Sequence, residues 1–250
     1  MTIRGFKTSA VAAGIKAGGA LDLALIYSDT PAAAAAVFTQ NTFIAPPLVV
    51  TKKHLQESDY RVRALLVNSG NANAATGDAG IKAARDCAET LAGHIGCRPN
   101  EILVSSTGVI GRWLPVNAIQ AAVPKLVSGL LPDNIELLAR GIMTTDTVPK
   151  ISTAEVDGTR IAGVAKGAGM IHPDMATMLS FVMTDADLSH AELDDALRYA
   201  VHRSFNSISV DGDTSTNDMV VVLANGASGI RPSAGDFRQI IGKFQAKKGV

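Results

Sequence analysis

Between Lys166 and Met183 the chain passes, without a spacer, from a glycine- and proline-containing stretch into an unbroken apolar run. Lys166-Gly-Ala-Gly-Met-Ile-His-Pro-Asp-Met-Ala176 reads as a loop. Thr177-Met-Leu-Ser-Phe-Val-Met183, bounded by Thr-Asp, reads as a buried strand. Thr177 therefore falls where a loop enters a sheet. A side chain at the lip of a strand is held by the scaffold while the preceding loop can move away, which suits a nucleophile.

A threonine hydroxyl needs a base, and no Ser/His/Asp or Cys/His spacing lies nearby. If the Ala176–Thr177 bond were cut, the new α-amino group, with a reference pKa of roughly 7.7–8.0, could take the proton of its own hydroxyl. On the residues alone this competes with a plainer reading, in which Met-Ala-Thr-Met-Leu is simply the start of a core strand.

Lys166 to Ser180 resembles the self-cleavage signature of the ornithine acetyltransferase family, the bifunctional glutamate N-acetyltransferases of arginine biosynthesis. Seven further segments are similar to that family and follow its order. They are Gly-Phe-Lys at 5–7, Ala-Gly-Ile-Lys at 13–16, Val-Phe-Thr-Gln-Asn at 37–41 with Ala-Pro at 45–46, and Val-Asn-Ser-Gly-Asn-Ala-Asn at 67–73. Ser-Thr-Gly-Val-Ile-Gly at 106–111, Met-Thr-Thr-Asp-Thr at 143–147 and Asp-Gly-Asp-Thr-Ser-Thr-Asn-Asp at 211–218 complete the set. The resemblance implies an N-terminal-threonine acetyltransferase with Ala176–Thr177 as the cleavage site.

Length and charge narrow the alternatives. A chain of 250 residues can bury a large core as one large domain or two smaller ones. Its 23 basic and 23 acidic residues balance, so neither nucleic acid nor an anionic membrane surface is expected as a partner. Cys87 and Cys97 are not in a metal or redox spacing and fit a reducing compartment. The N-terminus lacks a leader-like apolar region and no run is long enough to span a membrane, so a cytoplasmic protein is expected.

Read in order, Ala20–Tyr27, Arg63–Asn68, Glu101–Ser105 and Val220–Ala224 are strands. Alanines 32–36 favour a helix by propensity, yet they follow Pro31 and lead into Val37-Phe38-Thr39, where the resemblance favours a strand. Asp78 is placed to cap a helix carrying Ile81, Ala84, Ala88, Leu91, Ala92 and Ile95 at a 3.6-residue period, with Cys87 and His94 as packing residues. Pro115 opens a helix that Pro124 should break or kink, and Asp133 caps another to about Arg140. Asp157-Gly158 predicts a type I′ hairpin turn, and Ser189-His-Ala-Glu192 a capping box.

Mixed strands and helices without βαβ alternation predict a layered α/β/β/α sandwich with mixed, largely antiparallel sheets. The expected organisation is a region 1–176 carrying the oxyanion loop and a region 177–250 that begins at the nucleophile.

Ser106-Thr107-Gly108 follows a strand, and glycine lets backbone N–H groups face a ligand. An ordinary strand-ending turn is the plain alternative; the resemblance assigns Thr107 and Gly108 to the oxyanion hole. Lys166 does not belong to a phosphate-binding motif, since Gly-x-x-x-x-Gly-Lys-Ser/Thr is missing. A solvated surface lysine, and turn hydroxyls after the Arg140 helix for Thr144 and Thr145, are the plain alternatives; the resemblance instead places Lys166, with Thr144 or Thr145 and Thr177, at the substrate, where Lys166 would favour a neutral Thr177 amine. Asp211–Asp218 does not fit a calcium loop, because position 6 is Thr216 and position 12 is Val222; it reads as a hydrogen-bonded loop before the Val220 strand, with a supporting part in the active site as the alternative. No metal and no cofactor is expected, and His172 in the signature loop reads as structural.

The family's chemistry, carried to these residues, moves acetyl from N2-acetylornithine to glutamate through an acetyl-Thr177 intermediate, with acetyl-CoA as a further donor in some relatives. An α/β heterotetramer after cleavage is implied. Relatives continue beyond the position of Val250 with an Asp-Gly-Glu segment and more sheet, so the C-terminal part is expected to be incomplete. Two other classes remain: a non-catalytic remnant or assembly partner, and an N-terminal-nucleophile amidase or aminopeptidase.

Overall fold

The computed structural model describes residues 1–167, 178–204 and 215–233. Among these residues eight strands share one hydrogen-bonded path: β1 (Phe6–Val11), β2 (Leu23–Phe38), β3 (Arg61–Asn71), β4 (Ile102–Val109), β5 (Lys150–Val156), β6 (Thr159–Lys166), β7 (Leu179–Thr184) and β8 (Met219–Ala224). Their order is β4-β3-β2-β8-β7-β6-β5, with β1 beside β2, and the path is open. β3 with β4 and β7 with β8 are parallel; the other five pairings are antiparallel.

The sixteen residues of β2 carry the chain from one half of the path to the other. Leu23–Tyr27 pairs with β1 and β3; the register then slips before Ala32, and Ala33–Phe38 pairs with β8. Pro31, which has no N–H for a ladder, sits at this slip, where a bulge tolerates it. The alanine run is strand, as the resemblance suggested. Its small side chains fit between layers, and pairing with β8 outweighs a helix propensity worth only tenths of a kcal/mol per residue, roughly.

Because side chains alternate along a strand, each half has two faces, and the burial shows where each face goes. Ala24, Ile26, Leu65, Val67 and Leu103 of the β1–β4 half share one core with Ala162, Val164, Phe181, Met183, Val221 and Leu223 of the β6–β8 half. The opposite face of the first half, including Leu23, Leu25, Leu66 and Val104, packs under α2 (Gly77–Ile95) and α3 (Val116–Ser128). The opposite face of the second half, including Val182, Val220 and Val222, packs under α5 (His190–Ser204) through Leu193, Ala196, Leu197 and Ala200. The result is the expected α/β/β/α order, with α4 (Ile135–Ile142) contributing Leu138, Ala139 and Ile142 to the central layer.

Local readings differ from the expectation at several points. Asp78 lies inside the first turn of α2, which follows Thr76, and it gives no side-chain cap. Likewise Asn134, not Asp133, precedes α4. Pro115 stands at the N-cap of α3, and that helix runs on through Pro124. Burial of Ile119, Val123 and Leu126 against the sheet offsets the roughly 3 kcal/mol that an interior proline costs. α1 (Pro46–Glu57) was not read from the sequence; Pro46 and Pro47 occupy its first turn, where missing N–H groups are harmless. The hairpin and the capping box are as expected: Asp157 and Gly158 both have positive φ, and Ser189 and Glu192 exchange hydrogen bonds.

Phe181 is 1% exposed in the layer that joins the halves. Phe181→Ala should lower the unfolding free energy by about 3–5 kcal/mol in urea titration.

Candidate active site

Strand parity brings the site together. In β4 the inward residues are Leu103, Ser105 and Thr107, and in β6 they are Ala162, Val164 and Lys166, so Lys166 and Thr107 end the two facing rows. Lys166 Nζ donates to Thr107 Oγ1 at 2.5 Å, and both residues are buried, at 5% and 4% exposed. Two residues that are 59 apart in sequence therefore meet between the layers.

Asp218, immediately before β8, lies beside them. Its Oδ1 accepts the Met178 N–H at 3.0 Å, at the entrance to β7, and its Oδ2 has no hydrogen-bond partner among the described residues. Burial raises the Asp218 carboxyl to about 7, against the opposing pull of the Met178 amide, Ser215 and the Lys166 charge. Burial likewise lowers the Lys166 ammonium from its ordinary value, although Asp218 and Asp146 hold it up. Amine and carboxyl are thus drawn toward each other's range.

Asn217 ties the layers at the same level. Its Nδ2 donates to Ala72 O at 2.7 Å and Ser106 O at 2.9 Å, so the loop before β8 is fastened to the ends of β3 and β4. Ser106 Oγ in turn donates to Asn68 Oδ1 at 2.5 Å. Gly108 has φ of +132°, and an added Cβ would lie 2.3 Å from the Gly70 carbonyl carbon. The glycine is needed for close approach of the paired β3 and β4 backbones, whatever its part in chemistry.

On the far side of Lys166, Asp146 Oδ1 accepts the Gly167 N–H at 2.9 Å and the Lys150 ammonium at 3.1 Å, while Lys150 Nζ also donates to Gly167 O. Burial pushes the Asp146 carboxyl up, but the Gly167 amide, Lys150 and the Thr144 amide together hold it below the usual carboxylate range. Thr144 and Thr145 are exposed on the segment between α4 and β5, and Thr144 is linked to Gly167 through Asp146. Lys16 reaches this segment by donating to Met143 O at 2.7 Å, and Asp22 braces Lys16 by accepting the amides of Ala13, Ile15 and Lys16 at 2.6, 2.6 and 2.8 Å.

Of the residues singled out in the sequence, Thr107, Gly108 and Lys166 converge. Ala176 and Thr177, like His172 and Asp211 to Thr214, lie outside the described residues. Ser215 to Asp218 of the acidic loop stand within the site. Sequence reading missed the individual roles of Asp146, Asn217 and Asp218. A carboxylate directly before a fully apolar run, Asp218 before Met219–Ala224, was the available signal. Cys87 and Cys97 take no part: burial raises their thiols to about 12 and about 11. Among the described residues no helix is long and apolar enough to cross a membrane.

The raised Asp218 carboxyl makes stability depend on pH. The folded state holds this proton more tightly than the unfolded chain, so the contribution is fully present below about pH 4 and is lost as pH rises through about 7. Asp218→Asn should therefore raise the thermal midpoint at pH 8 and change it little at pH 4, as calorimetry at the two pH values would show. Gly108→Ala should unfold in denaturant at least roughly 2 kcal/mol more easily than the parent chain.

A sequence profile of the ArgJ family matches residues 7–247. The arginine biosynthesis bifunctional protein ArgJ of Geobacter sulfurreducens is 51% identical over 233 residues, which are 92% of this chain and 59% of that protein. The protein of the same name from Desulfotalea psychrophila is 52% identical over 91% of this chain and 58% of its own length. The chain thus spans less than two thirds of the curated relatives it matches. Among solved structures, argJ from Bacillus halodurans superposes with a TM-score of 0.62 at 36% identity, covering 70% of this chain and 92% of that one. Ornithine acetyltransferase of Mycobacterium tuberculosis, solved with ornithine, gives 0.60 at 36% identity, covering 68% and 92%. The L-aminopeptidase D-Ala-esterase/amidase of Ochrobactrum anthropi, an Ntn-hydrolase variant, shares the fold with a TM-score of 0.57 at 10% identity, covering 98% and 83%. With the profile spanning nearly its whole length, and relatives half identical to it, the chain belongs to the ArgJ family.

Proposed function

We propose that this chain carries the acyl-transfer centre of an N-terminal-threonine acetyltransferase of arginine biosynthesis, which cleaves itself between Ala176 and Thr177. The observation that carries the reading is the buried meeting of Lys166, Thr107 and Asp218 beside Met178, the residue that follows the candidate nucleophile. Chain length supports the cut. Seventy per cent of 250 residues is about 175, and if that is 92% of the B. halodurans chain, the chain has about 190 residues. The G. sulfurreducens protein, with 233 residues as 59% of its length, has about 395. A solved chain near half the full length, and close to the 176 residues before Thr177, is what processing there would leave.

The chemistry follows from the groups at hand. After the cut, the Thr177 amine takes the proton of its own hydroxyl, and the oxygen attacks the acetyl carbonyl of N2-acetylornithine. Thr107 and Gly108 form the oxyanion hole, an effect worth about 2.7–4 kcal/mol for a single donor. Ornithine leaves, and glutamate accepts the acetyl group in the second half of a ping-pong cycle; acetyl-CoA is a second acetyl donor to test. Lys166 raises the positive charge around Thr177 and so favours a neutral, basic amine there. Thr144 and Thr145 contact substrate from the segment that Asp146 fastens to Gly167. No metal or cofactor is required.

Cutting at this point would leave β7 and β8 hydrogen-bonded to β6 and β2, so regions 1–176 and 177–250 stay associated. Two such pairs make the α/β heterotetramer, working in the cytoplasm.

Mass spectrometry of the purified chain should find two fragments, the second beginning at Thr177, and Thr177→Ala should leave one intact chain. Acetylornithine with glutamate should then yield acetylglutamate above a control without glutamate. Acetate release alone would point to an amidase, and no turnover to a non-catalytic relative.

A further inference from the structure

Self-cleavage poses a chemical problem that the mature cycle does not. Before the cut, the nitrogen of residue 177 is an amide, so it cannot serve as base for its own hydroxyl, and another group must accept that proton. Resting on the cleavage reading above, we propose that Asp218 is the general base of the self-cleavage step, acting through Oδ2, which has no hydrogen-bond partner among the described residues.

Geometry selects it. Asp218 is 1% exposed, and its Oδ1 already accepts the amide of Met178, the residue next in sequence to the one whose hydroxyl is to be activated. Oδ2 is buried and makes no hydrogen bond among the described residues, an arrangement that normally costs stability and is retained where a group has work to do. Lys166, the charged group that bears on Asp218, is engaged: its Nζ donates to Thr107 Oγ1. On the other side, the ammonium of Lys150 is paired with Asp146 and held by Gly167 O. Ser215 also bears on the Asp218 carboxyl, yet Oδ2 is a carboxylate oxygen that forms no hydrogen bond among the described residues.

The step balances without a co-reactant. Oδ2 takes the proton of the Thr177 hydroxyl as Oγ bonds to the Ala176 carbonyl carbon. The carbon–nitrogen bond then breaks, and the carboxylic acid returns the proton to the leaving nitrogen, which becomes the Thr177 α-amine. An ester links residues 176 and 177, and water hydrolyses it. Asp218 ends as it began, and the base of the mature cycle has been made.

A carboxyl near pH 7 is suited to this role, since it is ionised often enough to accept and acidic enough to give back. Lys166 is the charged group that bears on Asp218, and Lys166 in turn feels Asp146 and Lys150. Cleavage should therefore slow as pH falls below about 7 and level off above it.

The test follows cleavage of the full chain from fresh translation by mass, at pH values from 5 to 9. Expected is a parent profile with its midpoint near 7, a rate at least roughly 100-fold lower and without that midpoint in Asp218→Asn, and partial recovery in Asp218→Glu. Asn keeps an acceptor for Met178 but is not basic, and circular dichroism checks that each variant is folded. A folded Asp218→Asn that cleaves at the parent rate with the parent profile overturns the assignment while leaving the cleavage reading intact. A folded parent chain that stays whole at every pH overturns both.

Discussion

An amine placed between two sheets must find acceptors there, because burying an unpaired charge costs several kcal/mol, roughly. Lys166 finds Thr107 Oγ1 on the facing layer and the carboxyl of Asp218 at the mouth of the adjacent strands. That requirement fixes the separation of the layers at one end and brings the tips of β4, β6, β7 and β8 to a common point. Asn217 reinforces it by joining the loop before β8 to β3 and β4. The apolar layer holds the halves together, and the polar tip decides their register.

The same burial sets the electrostatics. Asp218 and Lys166 each lose hydration, which raises the acid to about 7 and lowers the ammonium from its ordinary value. Asp146, which also acts on Lys166, is the counterexample: it keeps a low carboxyl because the Gly167 and Thr144 amides and the Lys150 ammonium all address it. Asp146 is given partners and serves as an anchor, whereas Asp218 Oδ2 has no hydrogen-bond partner among the described residues. The anchors fall on the residues that border 168–177, Gly167 on one side and Met178 on the other.

Much of this is legible in the sequence. The apolar run after Thr177, the Asp157-Gly158 turn and the Ser189–Glu192 box are local signals, and they give β7, the β5–β6 hairpin and the start of α5. The two-layer order followed from the mixed element sequence. Alternation reveals which residues share a face but not which faces meet, so the pairing of Lys166 with Thr107 across the layers could not be read from spacing. Nor could the environment of Asp218, whose Oδ1 takes the Met178 amide while Oδ2 finds no hydrogen-bond partner among the described residues. Helix starts were misplaced at Asp78 and Asp133 because several capping residues crowd each junction, and packing rather than capping chose the first turn. α1 escaped because its Val49, Val50 and Thr51 resemble a strand while its burial against β4 makes it a helix; Thr51 Oγ1 both donates to Val104 O and accepts from Val104 N.

The proposed chemistry passes an acyl group through residue 177, the sequence neighbour of Met178, whose amide Asp218 holds. Incubating the chain with isotopically labelled N2-acetylornithine in the absence of glutamate, quenching in acid and mapping the label by peptide mass spectrometry tests this directly. The label should appear as an acetyl ester on the peptide that begins with Thr177 and vanish on addition of glutamate. A folded, processed chain that carries the label on another residue, or none while still forming acetylglutamate, would contradict it.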